Sequence, residues 1–172
     1  MSIISRRKLP PLWIFVILFL LLYGSLSAGL TRVFKLPWYV PIPPTASIVV
    51  GIILLAFGFG WMAWALRSLS VRRAFGKELF KSAAESTLVT TGPYAYSRNP
   101  VYFSATVLFL GWFFVFHWTP VAIMTVLFLV HFMLVAKWEE KELTERFGNQ
   151  YRDYKQRVPF LIPGRKRKSP KF

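Results

Sequence analysis

The sequence predicts an all-α membrane protein with about four transmembrane helices, and three observations carry that reading. Of 172 residues, 55% are hydrophobic and 17% charged, and mean hydropathy is +0.44, too apolar for an ordinary soluble domain. The apolar residues fall in four blocks, about residues 12–30, 46–66, 100–116 and 120–136, near the 20 or so residues a span needs. The last two are short, which asks for tilt or local thinning of the bilayer. Finally, 20 of the 22 Lys and Arg lie before the first block, between the second and third, or after Ala136, and two, Arg32 and Lys35, lie between the first and second. Positive charge gathers on the cytoplasmic side. Both termini and the 67–98 loop are therefore expected in the cytoplasm, with the chain forming one membrane domain over 1–172.

The first block follows Arg6, Arg7 and Lys8 and ends near Ser27-Ala28-Gly29. A cleaved signal peptide is the alternative reading, but its apolar region runs only about 7–15 residues. Small residues four apart, Gly24/Ala28, Ser25/Gly29 and Ala56/Gly60, permit close helix contact, and permit a homodimer without requiring one. Between the first two blocks, LPWYVPIPP cannot be helical because of its prolines, and Trp38 and Tyr39 suit a membrane interface.

At the third block Asn99 is a candidate helix cap and Pro100 suits the first helical position. Thr119-Pro120 repeats the device for the fourth. The short turn between them predicts an antiparallel helical hairpin over 99–136. Beyond it, Leu143, Phe147, Tyr151, Tyr154 and Val158 recur at steps of 4, 4, 3 and 4. That spacing predicts a C-terminal amphipathic cytoplasmic helix turning along the membrane surface, with Gly148 as a bend. Pro159 and Pro163 end it, and a basic tail occupies 164–172.

Several function classes fall away. No cysteine is present, which removes disulfides and thiolate chemistry. The two histidines, His117 and His131, have no carboxylate at ligand spacing, so no metal site is expected. Net charge is +15, yet its one-sided distribution reads as topology and contact with anionic headgroups, with no nucleic-acid partner.

Chemistry concentrates at the cytoplasmic rim. Arg98 opens the third block, and Glu139 and Glu140 close its hairpin partner, so a guanidinium fork and two carboxylates meet at one edge. Tyrosines and Trp138 add aromatic faces for a flat ring or a cation. The same residues also suit a plainer role as interfacial anchors and solvated charges. His131 is the strongly polar group inside a span, a functional candidate by position. The plainer reading is a neutral histidine bonded to a neighbouring helix.

Two stretches, LVTTGPYAYSRNPVYFSATVLFLGW and EEKELTERFGNQYRDYKQRVPFLIP, resemble the membrane methyltransferases that include isoprenylcysteine carboxyl methyltransferases and phospholipid N-methyltransferases. The resemblance covers about residues 86–163. It implies S-adenosylmethionine as cofactor, held by Leu88, Val89, Tyr94, Arg98, Asn99, Pro100, Val101 and Tyr102, with Glu139 and Glu140 at its polar end. Gly58 and Gly60 look like the Gly-x-Gly element of the phospholipid enzymes. Many relatives have histidine where this chain has Asn99. The prenylcysteine enzymes carry a substrate-binding arginine about one turn before the glutamates, where this chain has Val135-Ala136-Lys137.

The resemblance therefore implies methyl transfer to a membrane lipid or lipid-like acceptor, a phospholipid amine being favoured. Arg98, Glu139 and His131 are the candidates for the chemistry, the last two as proton acceptors for an amine. Carboxyl methylation of an isoprenylcysteine, an NADPH-dependent sterol-type reductase and a non-enzymatic membrane protein are the competing readings.

Overall fold

The computed structural model describes residues 12–69 and 88–164, with side chains from Ile17 onward. The N-terminal basic cluster, most of the 67–98 loop and most of the basic tail lie outside the described residues. Within them are five α-helices: α1 (Leu12–Val33), α2 (Pro44–Ser68), α3 (Pro100–Phe116), α4 (Thr119–Phe147) and α5 (Asn149–Arg157). A 3-10 turn, Gly92–Ala95, precedes α3. No strand forms among the described residues, whose β-type pairing is one isolated bridge between Tyr39 and Trp118.

α2, α3 and α4 each begin with proline in the first turn, where its missing N–H has no helical partner to lose. α2 and α4 are long and apolar enough to cross a membrane, whereas Ile17–Val33 and Pro100–Phe116 are apolar but shorter. Large side chains such as Ile52, Ile53, Leu22, Val126 and Leu134 face outward. Helices apolar on their outer faces suit a hydrocarbon surround.

The packing order differs from the chain order: α1 lies on α4, α4 on α3, and α3 on α2. The α2–α3 contact depends on glycine. A Cβ on Gly51 would lie 2.7 Å from Val115 Cγ2 and 2.9 Å from the Gly111 carbonyl, and one on Gly111 would lie 2.8 Å from Leu55 Cγ. Gly58 likewise lies against Leu108. The small residues expected to make close contacts are elsewhere: a Cβ on Gly24, Gly29 or Gly60 would meet nothing within 4 Å. The period-four reading found small residues, but contact follows the face a neighbour occupies, which spacing alone does not reveal.

α1 is joined to α4 by a polar contact inside an aromatic layer. Tyr23 OH and His131 Nδ1 are 2.9 Å apart, and Phe19 stacks on Phe128 at 4.9 Å. At the far end of the bundle from Arg98, the connector after α1 is tied to the α3–α4 turn. The Val40 N–H donates to the His117 carbonyl at 2.9 Å and the Thr119 N–H to the Trp38 carbonyl at 3.0 Å, while the Thr119 hydroxyl donates to the Pro37 carbonyl. His117 Nε2 lies 2.6 Å from Ser47 Oγ.

α4 has 29 residues, about 43 Å at 1.5 Å per residue, so its last turns project beyond its apolar stretch. Gly148 then breaks the helix with φ 56° and ψ −127°, a region glycine enters far more readily than other residues. The bend turns α5 back on the protein. Tyr151, Tyr154 and Val158 are buried together against Leu88, Leu143 and Phe147. The face expected to lie on the membrane is instead consumed by packing within the chain, because the segment around Leu88 returns to cover it.

Gly51→Ala should lower stability by about 1–3 kcal/mol, the usual cost of overpacking, since one of the atoms it meets is backbone. Gly60→Ala should be neutral or slightly stabilising. Thermal unfolding of both variants in detergent checks the contrast.

Candidate active site

The polar residues of the described structure meet where the start of α3, the end of α4 and α5 converge. Arg98 lies between the 3-10 turn and α3, and Glu140 lies four residues, about one turn, beyond Ala136, on the buried side of α4. Arg98 Nη1 is 2.7 Å from Glu140 Oε1, with side-chain exposures of 9% and 7%. Glu140 Oε2 is 2.9 Å from Lys155 Nζ, whose side chain is 50% exposed. Charges removed from water are costly unless paired, so this ion pair ties α3's entry to α4 and, through Lys155, to α5.

The Arg98 guanidinium is incompletely satisfied. Its Nε and Nη1, and Glu140 Oε1, are buried without an aligned hydrogen bond, so the 2.7 Å contact acts by charge. The guanidinium also lies 5.5 Å from the centre of the Phe160 ring. A recess of about 190 Å³ opens beside it, lined by Arg98, Lys155, Gln156, Val158, Pro159 and Phe160.

Asn99 departs from its expected role. It stands at the cap position of α3, but its side chain makes no capping bond. Instead Nδ2 donates to the Phe160 carbonyl at 2.8 Å. Neighbouring bonds join the same two segments: the Arg98 N–H donates to the Pro159 carbonyl at 2.9 Å and Ser97 Oγ to the Leu161 carbonyl at 2.7 Å, while in the opposite direction the Gly164 N–H donates to the Tyr96 carbonyl at 3.0 Å. The segment after α5 thus lies along residues 96–99 as a strap. With Pro159 and Pro163 in it, it has few donors of its own, so the other segment supplies most of them.

The two glutamates face different neighbours. Glu139 Oε1 accepts a hydrogen bond from Tyr102 OH at 2.8 Å, and the Tyr102 ring stacks on Phe132 at 5.1 Å. Among the described residues no Lys or Arg is paired with Glu139. Tyr94 is buried, and its carbonyl accepts from Tyr154 OH at 2.7 Å. Burial pushes the phenol of Tyr94 well up, with the nearby Tyr154 and the negative Glu139 adding to the rise. Burial likewise raises Tyr154, partly opposed by Arg98 and reinforced by Glu140. Both stay neutral donors at any working pH.

Leu88 packs on the Tyr151–Tyr154 cluster, Val89 and Val101 are half-buried, and Pro100 is fully buried at the start of α3. Three residues lie elsewhere. His131 precedes Glu139 by eight positions, about 12 Å along the helix, and is engaged by Tyr23. Gly58 lies against Leu108, and Gly60 opens to no neighbour. Lys155, Phe160 and Ser97 were not identifiable from sequence: no spacing rule joins positions about 60 apart. Among the described residues no group of acidic or histidine side chains could hold a metal.

Outward-facing apolar helices with an aromatic-lined, ion-paired cluster confined to one end define a helical membrane protein with a polar site at one rim. The chain belongs to the phospholipid methyltransferase family, whose sequence pattern matches residues 46–150. It is similar to a methanethiol S-methyltransferase of Crocosphaera subtropica, 43% identical over 41% of this chain and 27% of that protein. It is also similar to a protein-S-isoprenylcysteine O-methyltransferase of Xenopus laevis, 32% identical over 67% of this chain and 40% of that protein. The chain thus spans two-fifths or less of the length of these curated relatives. No solved structure matches it.

Glu140→Gln should cost about 3–5 kcal/mol, because Arg98 is left buried without its counter-charge. Lys155→Ala removes a half-exposed partner and should cost about 0–1 kcal/mol. Denaturation of the two variants in detergent checks the order.

Proposed function

We propose that the protein is an integral membrane methyltransferase that uses S-adenosylmethionine and acts on a lipid amine at the cytoplasmic face. The observation that carries the acceptor class is the division between the two glutamates. Glu140 is neutralised by Arg98 and Lys155. Glu139 is held by Tyr102 and has no cationic partner among the described residues, so it offers a negative charge beside aromatic rings, an environment that attracts an ammonium and repels a carboxylate.

The residues at the rim fit the cofactor's polar end. Arg98 Nε is buried without an acceptor beside the 190 Å³ recess, and a carboxylate would supply the missing acceptor. The recess is smaller than the 300–1,000 Å³ or so of a typical small-molecule pocket, so it suits the amino-acid end, with the tyrosine-rich segment 94–102 as the surface for the flat base. S-adenosylmethionine, when bound, supplies an electrophilic methyl group on a sulfonium. The protein's part is to hold donor and acceptor in line, which supplies about 7–11 kcal/mol in favourable cases. An ammonium acceptor must also lose a proton before its nitrogen is nucleophilic. Glu139 takes that role, and Tyr102 holds its carboxylate in one orientation. His131 is the weaker candidate because Tyr23 engages its Nδ1.

In this reading α1 to α4 are four spans, the shorter two accommodated by tilt or thinning. The Arg98 rim, α5 and both termini are cytoplasmic, as the distribution of Lys and Arg favours. The Xenopus relative is named for isoprenylcysteine and the Crocosphaera relative for methanethiol, so a prenylcysteine carboxylate and a small alkyl thiol are the acceptors to compare.

Calorimetry should detect S-adenosylmethionine binding to the purified protein and no binding of NADPH, the reverse result favouring a reductase. Turnover should be highest with an aminophospholipid among the three acceptor classes. Glu139→Gln should lower kcat about 10²- to 10⁴-fold, the usual contribution of a general base, with the unfolding midpoint unchanged. Full activity in that variant, or preference for prenylcysteine, would overturn the acceptor reading.

A further inference from the structure

We infer that Asn99 is a positioning residue: its side-chain amide latches the strap 158–164 onto residues 96–99, and the seated strap builds the recess beside Arg98. The inference rests on the reading of that recess as the cofactor's polar pocket. Three of the six residues lining the recess, Val158, Pro159 and Phe160, belong to the strap. The wall is therefore present when the strap is seated.

Two side chains hold it from the α3 side. Asn99 Nδ2 reaches the Phe160 carbonyl, and Ser97 Oγ reaches the Leu161 carbonyl. Ser97 is fully buried and its Oγ also accepts the Asn99 N–H at 3.2 Å, so the two latches share a link. Between them the Arg98 N–H is fixed to the Pro159 carbonyl, and the Phe160 ring covers the guanidinium. Arg98 is thus oriented from three directions: its backbone by Pro159, its charge by Glu140 and its face by Phe160. Loss of the latch would leave the charge pair and release the other two.

Asn suits this task where Asp, an equally good capping residue, would not. An amide has two N–H donors as well as an acceptor, and a carbonyl of a proline-rich strap needs a donor. Asp at position 99 would instead set a carboxylate against the Phe160 carbonyl. The arrangement explains why a residue at the cap position makes no cap: its hydrogen-bonding capacity is directed across to another segment.

The test combines hydrogen exchange of the 158–164 segment in the cofactor-free protein with S-adenosylmethionine titration, for wild type, Asn99→Ala, Asn99→Asp and Ser97→Ala. Faster exchange of the strap in all three variants, a Kd raised about tenfold and kcat at saturating cofactor within about threefold of wild type would support the latch. Unchanged exchange with weakened binding would overturn it, because Asn99 would then touch the cofactor itself. Faster exchange with unchanged Kd would also overturn it, because the strap would not build the pocket. Ser97→Ala guards against a folding defect peculiar to position 99. Should the wild type bind no S-adenosylmethionine, the function reading fails and the pocket link with it, a result distinct from either variant pattern.

Discussion

A buried positive charge cannot be left alone, and the pairing of Arg98 with Glu140 is the constraint around which the rim is arranged. The two side chains are 9% and 7% exposed. Unpaired, either would carry a desolvation cost of several kcal/mol, so the entry to α3 and the exit of α4 must stay together. Lys155 extends the requirement to α5, and the bend at Gly148 is what lets α5 reach back. The Tyr151–Tyr154–Val158 cluster then adds apolar burial to a contact that charge alone would hold weakly. Local geometry and long-range pairing agree at this point, which is the mark of a well-specified structure.

Elsewhere in the bundle the forces differ. In hydrocarbon, apolar helices gain little by touching one another, so association depends on close packing and on polar contacts. Two of the three packed helix pairs show one of these each. α2 and α3 meet through Gly51, Gly58 and Gly111. α1 meets α4 through Tyr23 and His131 within an aromatic layer. The connector bonds at Val40 and Thr119 tie the ends of both halves. His131 makes the hydrogen bond to a neighbouring helix that the plainer reading of its position expected.

Much of this was legible in the sequence, and the limits have physical causes. Helix positions followed from apolar block length and from Pro100 and Pro120, because both signals are local, whereas Pro44, read as part of the non-helical connector, opens α2. The bend at Gly148 was readable for the same reason. The recognisable segments 86–103 and 137–163 marked the rim, and the meeting of Arg98 with Glu140 followed from the hairpin, whereas Glu139 turns to Tyr102. What could not be read was which face of each element met which neighbour. Gly24, Gly29 and Gly60 fit a packing pattern but face open space, whereas Gly51 and Gly111 carry the contact. Asn99 has the chemistry of a cap and the structure of a cross-link. The apolar face of α5 suited a membrane equally well until the segment at Leu88 covered it.

The adjacent glutamates show why this limit matters for function. Successive residues on a helix point about 100° apart, so Glu139 and Glu140 cannot face one partner as a pair. Glu140 turns to the cations and is spent in holding the rim together. Glu139 turns to Tyr102, whose ring rests on Phe132, and keeps its charge free of cationic partners among the described residues. A motif read as two carboxylates is thus one anion held by cations and one held by a tyrosine. Substitution at either position removes a different property, so neither residue can replace the other. The same logic joins Arg98 to both sides of the rim: its charge is committed to Glu140, but its Nε remains without an acceptor. A guanidinium can be an ion-pair partner and a ligand-facing donor together because its five N–H groups point in a fixed fork. Lysine at position 98 would offer a single point charge and would have to choose.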